Sequence, residues 1–229
     1  MDKKITDAIV AHELKTPIVP LKGFLDIMIK DPKKYGLNQK GQKYVKICLR
    51  NVERLDRLIG DILDISKLES GEMKFDMQQI DLLKIIKNII DDFTLVAREK
   101  KIKFKFILPK SLPIVNGDLY RLQQVVSNLV DNALKFTDKG SIIIEAKIKD
   151  DYIQISVKDM GVGIRKKDIP RLFEKFYQTQ QVLARRIKGT GLGLVICKEI
   201  IQFHGGKIKA YSKGLGFGST FTFTIPIKN

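Results

Sequence analysis

The sequence predicts two domains of different class. The first is a helical hairpin that pairs with a second copy as a dimeric four-helix bundle; the second is an α+β two-layer sandwich, helices on one face of a mixed sheet. Two observations predict this. Val45, Cys48, Val52, Leu55, Ile59 and Ile62 step by 3, 4, 3, 4, 3, which is a heptad seam. Beyond Gly71 the pattern changes to alternating runs interleaved with helical ones, the signature of a sheet covered by helices. The expected boundary lies near 70–72, giving domains 1–70 and 71–229.

Each element has its own reason. Residues 2–30 carry apolar side chains at helical spacing. The Pro, Gly and Asn of 31–38 mark a connecting loop. A second helix covers 39–70 and ends at Ser70-Gly71, a C-cap signal. Tyr44, Ile47, Leu58 and Ile65 widen its seam into a broad apolar face, more than two helices bury alone, hence the expected homodimer; packing against the chain's own second domain is the alternative. Residues 72–80 alternate loosely as a strand. Asp81 caps a helix to about Lys100, and 102–108 alternates apolar residues with Lys as a half-exposed strand. Ile114-Val115 leads to a turn at Asn116-Gly117, and Asp118 caps a helix to about Phe136. Residues 141–149 and 152–158 form an antiparallel hairpin about Asp150-Asp151. A helix after Gly191 and strands near 207–212 and 218–226 complete the domain.

Composition excludes several classes. Hydrophobic content of 44% with 30% charged is that of a globular protein. No run approaches the roughly 18 apolar residues of a membrane span, and the N-terminus has no signal-peptide pattern. Cys48 and Cys197 form no C-x-x-C pair, which argues against zinc and disulfide scaffolds and for a reducing compartment. The net charge of +16 would attract anionic partners. Its lysines are dispersed, without an aromatic platform or recognition helix, so nucleic-acid binding is not expected.

The chain is organised around Ala11-His12-Glu13-Leu14-Lys15-Thr16-Pro17. On a helix, His12 and Thr16 lie one above the other, and Glu13 neighbours Thr16. Pro17 and Pro20 each remove a helical N–H and crowd the preceding turn, so a bend is expected there. A helical histidine is ordinarily a solvated or core side chain. The functional alternative is a nucleophilic imidazole whose tautomer Glu13 holds; it requires a phosphoryl donor site elsewhere.

Three groups in the second domain supply candidates. Asn128 and Asn132 lie one turn apart on the helix from Asp118, followed by Lys135 and Phe136. Amide oxygens suit an octahedral Mg²⁺ that keeps waters and phosphate oxygens, with a Lys reaching phosphate. Asp159-Met160-Gly161-Val162-Gly163 follows a strand. Its carboxylate can accept from an exocyclic amine such as adenine's, and its glycines allow close backbone approach. Gly189-Thr190-Gly191-Leu192-Gly193 precedes an apolar helix, whose free N–H groups and dipole bind phosphate; neither a P-loop nor the dinucleotide G-x-G-x-x-G is present. Between the last two groups, Phe173 and Phe176 open a Gln- and Arg-rich stretch through Arg186 that reads as a lid or a plain surface loop. His204 reads as a structural histidine at a helix end.

The order of these motifs, H-E-L-K-T-P, N-x-x-x-N-A-x-K-F, D-x-G-x-G, F-x-x-F and G-T-G-L-G-L, resembles the catalytic core of a sensor histidine kinase of two-component signalling, over essentially the whole chain. The resemblance implies a dimerisation and phosphotransfer hairpin followed by a Bergerat-type ATP-binding domain. It implies that His12 is the phosphoacceptor, with Glu13 as base or orienter. ATP would lie against Asp159, with its phosphates near Asn128, Asn132, Lys135 and the Gly189–Gly193 loop, and Mg²⁺ on one or both asparagines. It further implies transfer to an aspartate of a response regulator, a phosphatase activity through Thr16 and Glu13, and a bend at Pro17 that lets the helix flex between the two geometries. Bergerat ATPases of the chaperone or topoisomerase kind place a carboxylate one turn before the second asparagine; here Asn128 stands there, which favours transfer over hydrolysis. A chain beginning so near His12 is expected to be the core of a longer protein. Intact relatives are often membrane-anchored, so the expected location is the cytosolic side.

Overall fold

The computed structural model describes residues 3–180, 182 and 189–227, with side chains in the first helix from residue 13 onward. Its contacts divide the chain between Met73 and Lys74 into two compact units.

The first unit is a helical hairpin of α1 (Lys3–Lys30) and α2 (Gln39–Ser70). Helix α1 runs unbroken through Pro17 and Pro20. Asn38 caps α2, its side chain accepting from Gly41 N at 2.8 Å. Gly71 ends it in the left-handed region, at φ 74°, where the missing Cβ removes the steric penalty. Ile18 of α1 packs with Val52 and Ile59 of α2, flanked by Leu25, Ile62 and Leu63. Other apolar side chains of the hairpin face outward: Leu55 and Cys48 of the α2 seam are exposed, Leu55 by 46%, as is Phe24 of α1, by 67%.

The second unit is an α+β sandwich. A small ribbon pairs β1 (Met77–Ile80) with β3 (Val115–Asp118) antiparallel. The main sheet has the order β2-β4-β5-β7-β6, made of β2 (Ile102–Ile107), β4 (Gly140–Lys149), β5 (Tyr152–Asp159), β6 (Ile208–Tyr211) and β7 (Thr220–Pro226). Only the β2–β4 pair is parallel. Alternate residues of three central strands are buried: Ile142, Ile144 and Ala146; Ile153, Ile155 and Val157; Phe221, Phe223 and Ile225. The period of two puts each trio on one face. The helices α3 (Leu82–Glu99), α4 (Leu119–Phe136) and α5 (Gly193–Phe203) bring their buried stripes to the same core.

Two local expectations are corrected. The strand expected over 72–80 covers only 77–80, because Glu72 N and Met73 N both donate to Lys67 O at 3.0 Å and complete the end of α2 instead. Asn116-Gly117 is not a turn but part of β3, opposite Gln79 and Gln78. Gly117 is required there by packing: a Cβ would lie 2.8 Å from Leu122 Cδ1 and 3.1 Å from His204 Cδ2. Among the described residues no helix is long and apolar enough to cross a membrane.

Candidate functional site

Helix α4 carries the first group. Asp118 caps it by accepting from Arg121 N at 3.0 Å, and Leu122, Val125, Val126, Leu129, Val130 and Ala133 bury its inner stripe. Helical spacing then places Asn128 and Asn132 together beside that stripe, both half-buried. Asn128 Nδ2 donates to Cys197 Sγ at 3.7 Å, and its amide oxygen makes no hydrogen bond among the described residues. The same amide packs on α5: a Cβ at Gly193 would lie 3.6 Å from Asn128 Cγ. Asn132 makes no side-chain hydrogen bond among the described residues. Lys135 pairs with Asp131 one turn earlier. No group of three or more His, Cys, Asp or Glu gathers among the described residues, and the Asp131 carboxylate beside the two amides is taken up by Lys135. Hard, neutral amide oxygens are a donor type that fits Mg²⁺, an ion that otherwise retains waters.

Asp159 ends β5, only 3% exposed. Its Oδ1 accepts from Gly161 N at 2.8 Å and Ser219 N at 3.2 Å, and its Oδ2 accepts from the Ser219 hydroxyl. A carboxylate offers about four acceptor positions, so these three bonds leave one on Oδ2. Burial pushes the carboxyl pKa up, opposed by these hydrogen bonds. Gly161 is packed against α4, with Phe136 O where its Cβ would be. Gly163, at φ 70°, lies equally close to Gly214 O. Thr137, the next residue after Phe136, is 2% exposed and its hydroxyl has no partner among the described residues. Such a group is ordinarily completed by water or ligand.

The third group forms the entrance to α5. Gly191, at φ 74°, abuts the Phe176 backbone, and its carbonyl accepts from Phe176 N at 3.1 Å. Leu192 is buried, and its N–H donates to Thr190 Oγ1 at 3.1 Å. Gly189 O accepts from Gln178 Nε2 at 2.9 Å. Helices α2, α3 and α4 each have a side-chain cap, whereas α5 has none at Leu192. Leu192 therefore takes up none of the first N–H groups of α5 with its side chain, and helix N–H groups left so can donate to an anion's oxygens.

The structure thus brings Asn128 to Gly193, Phe136 to Gly161, and Asp159 to Ser219. Phe176, at the start of the expected lid, is 67% exposed and is held through its backbone N–H on Gly191 O, whereas Phe173 is half-buried. Of the expected lid, residues 181 and 183–186 lie outside the described residues. Ser219 was not foreseen: it is 60 positions from Asp159, and no local motif links the two. His204 is fully buried and structural, as expected.

In the helical unit, the backbone of His12 belongs to α1; its side chain lies outside those described. Residues 13–17, Glu13 and Thr16 among them, are all exposed, and Ile18 is the first side chain after them to be buried in the hairpin core. This places the acidic and hydroxyl groups on the outward surface of the helix.

Comparisons with known proteins match both units. The His Kinase A (phospho-acceptor) domain family matches residues 8–71, and the histidine kinase-, DNA gyrase B- and HSP90-like ATPase family matches residues 117–229. Sensor histidine kinase RcsC of Escherichia coli is 38% identical over 221 residues, 96% of this chain and 23% of RcsC. Sensor histidine kinase WalK of Bacillus subtilis is 34% identical over 222 residues, 96% of this chain and 36% of WalK. The chain therefore spans about a quarter to a third of these curated relatives. Among solved structures, full-length ShkA in complex with AMPPNP has a TM-score of 0.80 and 26% identity, over 98% of this chain and 46% of ShkA. The nucleotide-free catalytic domain of histidine kinase ThkA has a TM-score of 0.60 and 30% identity, over 68% of this chain and all (100%) of that domain. With a phospho-acceptor hairpin and a Bergerat-type ATPase unit in one chain, this protein belongs to the sensor histidine kinase family.

Proposed function

We propose that this chain is the ATP-dependent protein-histidine kinase core of a two-component sensor, phosphorylating His12 and passing the phosphoryl group to an aspartate of a response regulator on the cytosolic side. The observation that carries the proposal is the uncapped, glycine-rich entrance to α5 set against the Asn128 amide. Asp159, with an acceptor position left on Oδ2, would hold adenine, while Gly161 and Gly163 let the backbone close around it. Phosphates would meet the N–H groups of the Gly189–Gly193 loop, with Thr190 and Leu192 fixing its shape. Asn128, Asn132 or both would hold Mg²⁺, which supplies charge neutralisation at the phosphates when bound. Lys135 would leave Asp131 to reach phosphate.

His12 would attack the γ-phosphoryl group in line, with Glu13 taking the imidazole proton or fixing the tautomer. The bond from the γ-phosphorus to the bridging oxygen breaks as the bond to nitrogen forms, and ADP leaves. Most of the rate would come from positioning and charge neutralisation. Thr16, exposed beside Glu13, would orient water onto the regulator's acyl phosphate, giving a phosphatase activity. The exposed apolar surface of the hairpin, including Leu55 and Phe24, would be covered by a second copy in a four-helix bundle.

The test is incubation with Mg²⁺ and γ-labelled ATP beside a His12→Ala variant. Label that enters the protein, survives alkali, is lost in acid and is absent from the variant establishes the kinase. Phosphate release without labelled protein, equal in both, would replace it with a simple ATPase. Thr16→Ala should retain autophosphorylation and lose regulator dephosphorylation.

A further inference from the structure

The chain enters the second unit through Phe75 and Asp76, and both are held. The Phe75 ring stacks on Phe203, centroids 3.6 Å apart and planes 9° from parallel. It also meets the His204 ring edge-on, at 5.8 Å and 82°. Asp76 N donates to Asp118 Oδ2 at 2.9 Å, while the other oxygen of Asp118 caps α4. Behind them lies His204, fully buried at the end of α5. Its Nδ1 donates to Ile200 O at 2.7 Å, which makes Nε2 the acceptor for Asp118 N at 2.9 Å. One imidazole therefore joins the C-terminal end of α5 to the N-terminal end of α4.

These two helices carry facing parts of the candidate nucleotide site. Asn128 lies ten residues into α4 from Asp118, and Gly193 lies eleven residues before His204. At the helical rise, the joint sits about 15 Å from the Asn128–Gly193 contact along both helices. A pivot of about 5° at the joint shifts that contact by about 1 Å, enough to impair phosphoryl transfer strongly. A close-packed core passes such a shift on rather than absorbing it.

We infer that His204 is a positioning residue for nucleotide binding, a clasp between α4 and α5 that sets the spacing of Asn128 and Gly193, and that Phe75 couples the entering segment to it. The inference rests on the ATP-binding reading above. Asp118 serves the same joint by accepting from Asp76 N and Arg121 N while donating its own N–H to His204. A purely apolar side chain at 204 fills the space but leaves the buried Asp118 N–H without an acceptor. A glutamine returns an amide oxygen within reach of it.

The experiment uses the full chain as His204→Leu, His204→Gln and Phe75→Leu, each checked for folding by circular dichroism and thermal melting. Amide exchange along α4 is measured without nucleotide; KM for ATP and kcat for His12 labelling are measured with it. His204→Leu should speed exchange in the first turns of α4 and raise KM about tenfold, the worth of one buried hydrogen bond, with a smaller effect on kcat. His204→Gln should recover most of both, and Phe75→Leu should move both in the same direction by less. A folded His204→Leu chain with unchanged KM and α4 exchange would overturn the clasp, as would a glutamine variant no better than leucine. If His204→Leu does not fold, unchanged α4 exchange and KM in Phe75→Leu overturn it. If wild type does not saturate with ATP, the kinase reading fails instead, and α4 exchange alone decides the clasp.

Discussion

The Phe136 carbonyl occupies the space that a Cβ on Gly161 would need, and it accepts from Val162 N at 3.1 Å. The end of α4 is thereby bonded directly to the turn that follows Asp159. Gly161→Ala would force the two apart and also crowd Asp159 Oδ1, 2.8 Å from the new methyl position. A shift of this size in a packed region costs about 1–3 kcal/mol. The expected outcome is a lower melting temperature and loss of most ATP affinity, read by thermal denaturation and by titration with a fluorescent nucleotide. Gly189→Ala is the control: nothing lies within 4 Å of its Cβ position, so stability should change by no more than about 0.5 kcal/mol.

Ser219→Ala tests the other side of the same carboxylate. It removes the Oγ–H that donates to Asp159 Oδ2 but leaves the Ser219 N–H bond at 3.2 Å. Burial already raises the Asp159 pKa, and the lost hydrogen bond had opposed that rise, so the pKa should move further up. For a carboxyl raised above its unfolded value near 3.8, the stabilising contribution is present below that value and lost as pH rises through the folded pKa. The variant should lose about 1–3 kcal/mol once Asp159 is ionised, since a buried charged acceptor loses a partner. Carboxyl-carbon NMR titration follows the pKa, and chemical denaturation at several pH values follows the stability. A carboxyl titrating no higher than in wild type would mean that the hydroxyl is not what holds it.

Long periodic elements were legible in the sequence because their signal is local. Helix α2 falls on 39–70 as expected, since the heptad seam, the Asn38 cap and Gly71 all lie within it or next to it. The β4–β5 hairpin is equally local. Asn116-Gly117 misled because a dipeptide that favours turns also satisfies a strand needing no side chain; the reason for glycine there is Leu122 and His204, the latter 87 positions away. Ser219 went unseen for the same cause, since it reaches Asp159 only across the β5–β7 pairing. From its alternate glycines the loop before α5 was legible as the entrance to a helix. Its packing on Asn128 was not, because that depends on how two helices cross.

The hairpin separates two kinds of apolar residue within one heptad seam. Ile59 is 2% exposed and belongs to the core of a single copy, whereas Leu55 is 46% exposed. Ile59→Ala should cost about 2–5 kcal/mol of stability through cavity formation. Leu55→Ala removes a side chain proposed to lie in the dimer seam, so it should weaken dimerisation with a much smaller effect on helix content at high protein concentration. Sedimentation equilibrium and circular dichroism over a concentration series measure the two effects. Equal self-association of wild type and Leu55→Ala would remove this position from the dimer seam.

His204 gives the second unit a pH limit whose sign follows from its surroundings. Burial lowers its pKa from the ordinary 6.5, outweighing the Ile200 carbonyl and the Asp118 carboxylate, which raise it. The native chain holds the imidazole neutral because Nε2 must accept from Asp118 N, while the unfolded chain takes up a proton near 6.5. The unfolded state therefore binds more protons between the folded pKa and 6.5. The stability contributed by neutral His204 is fully present above that window and falls as pH drops through it. The steepest slope is about 1.4 kcal/mol per pH unit for one group. Denaturation of the full chain at intervals from pH 7.5 to about 5 should show this component in wild type and lack it in His204→Gln, whose amide does not titrate. The same acid-dependent loss in both chains would assign it to other groups and leave His204 without a titrating role.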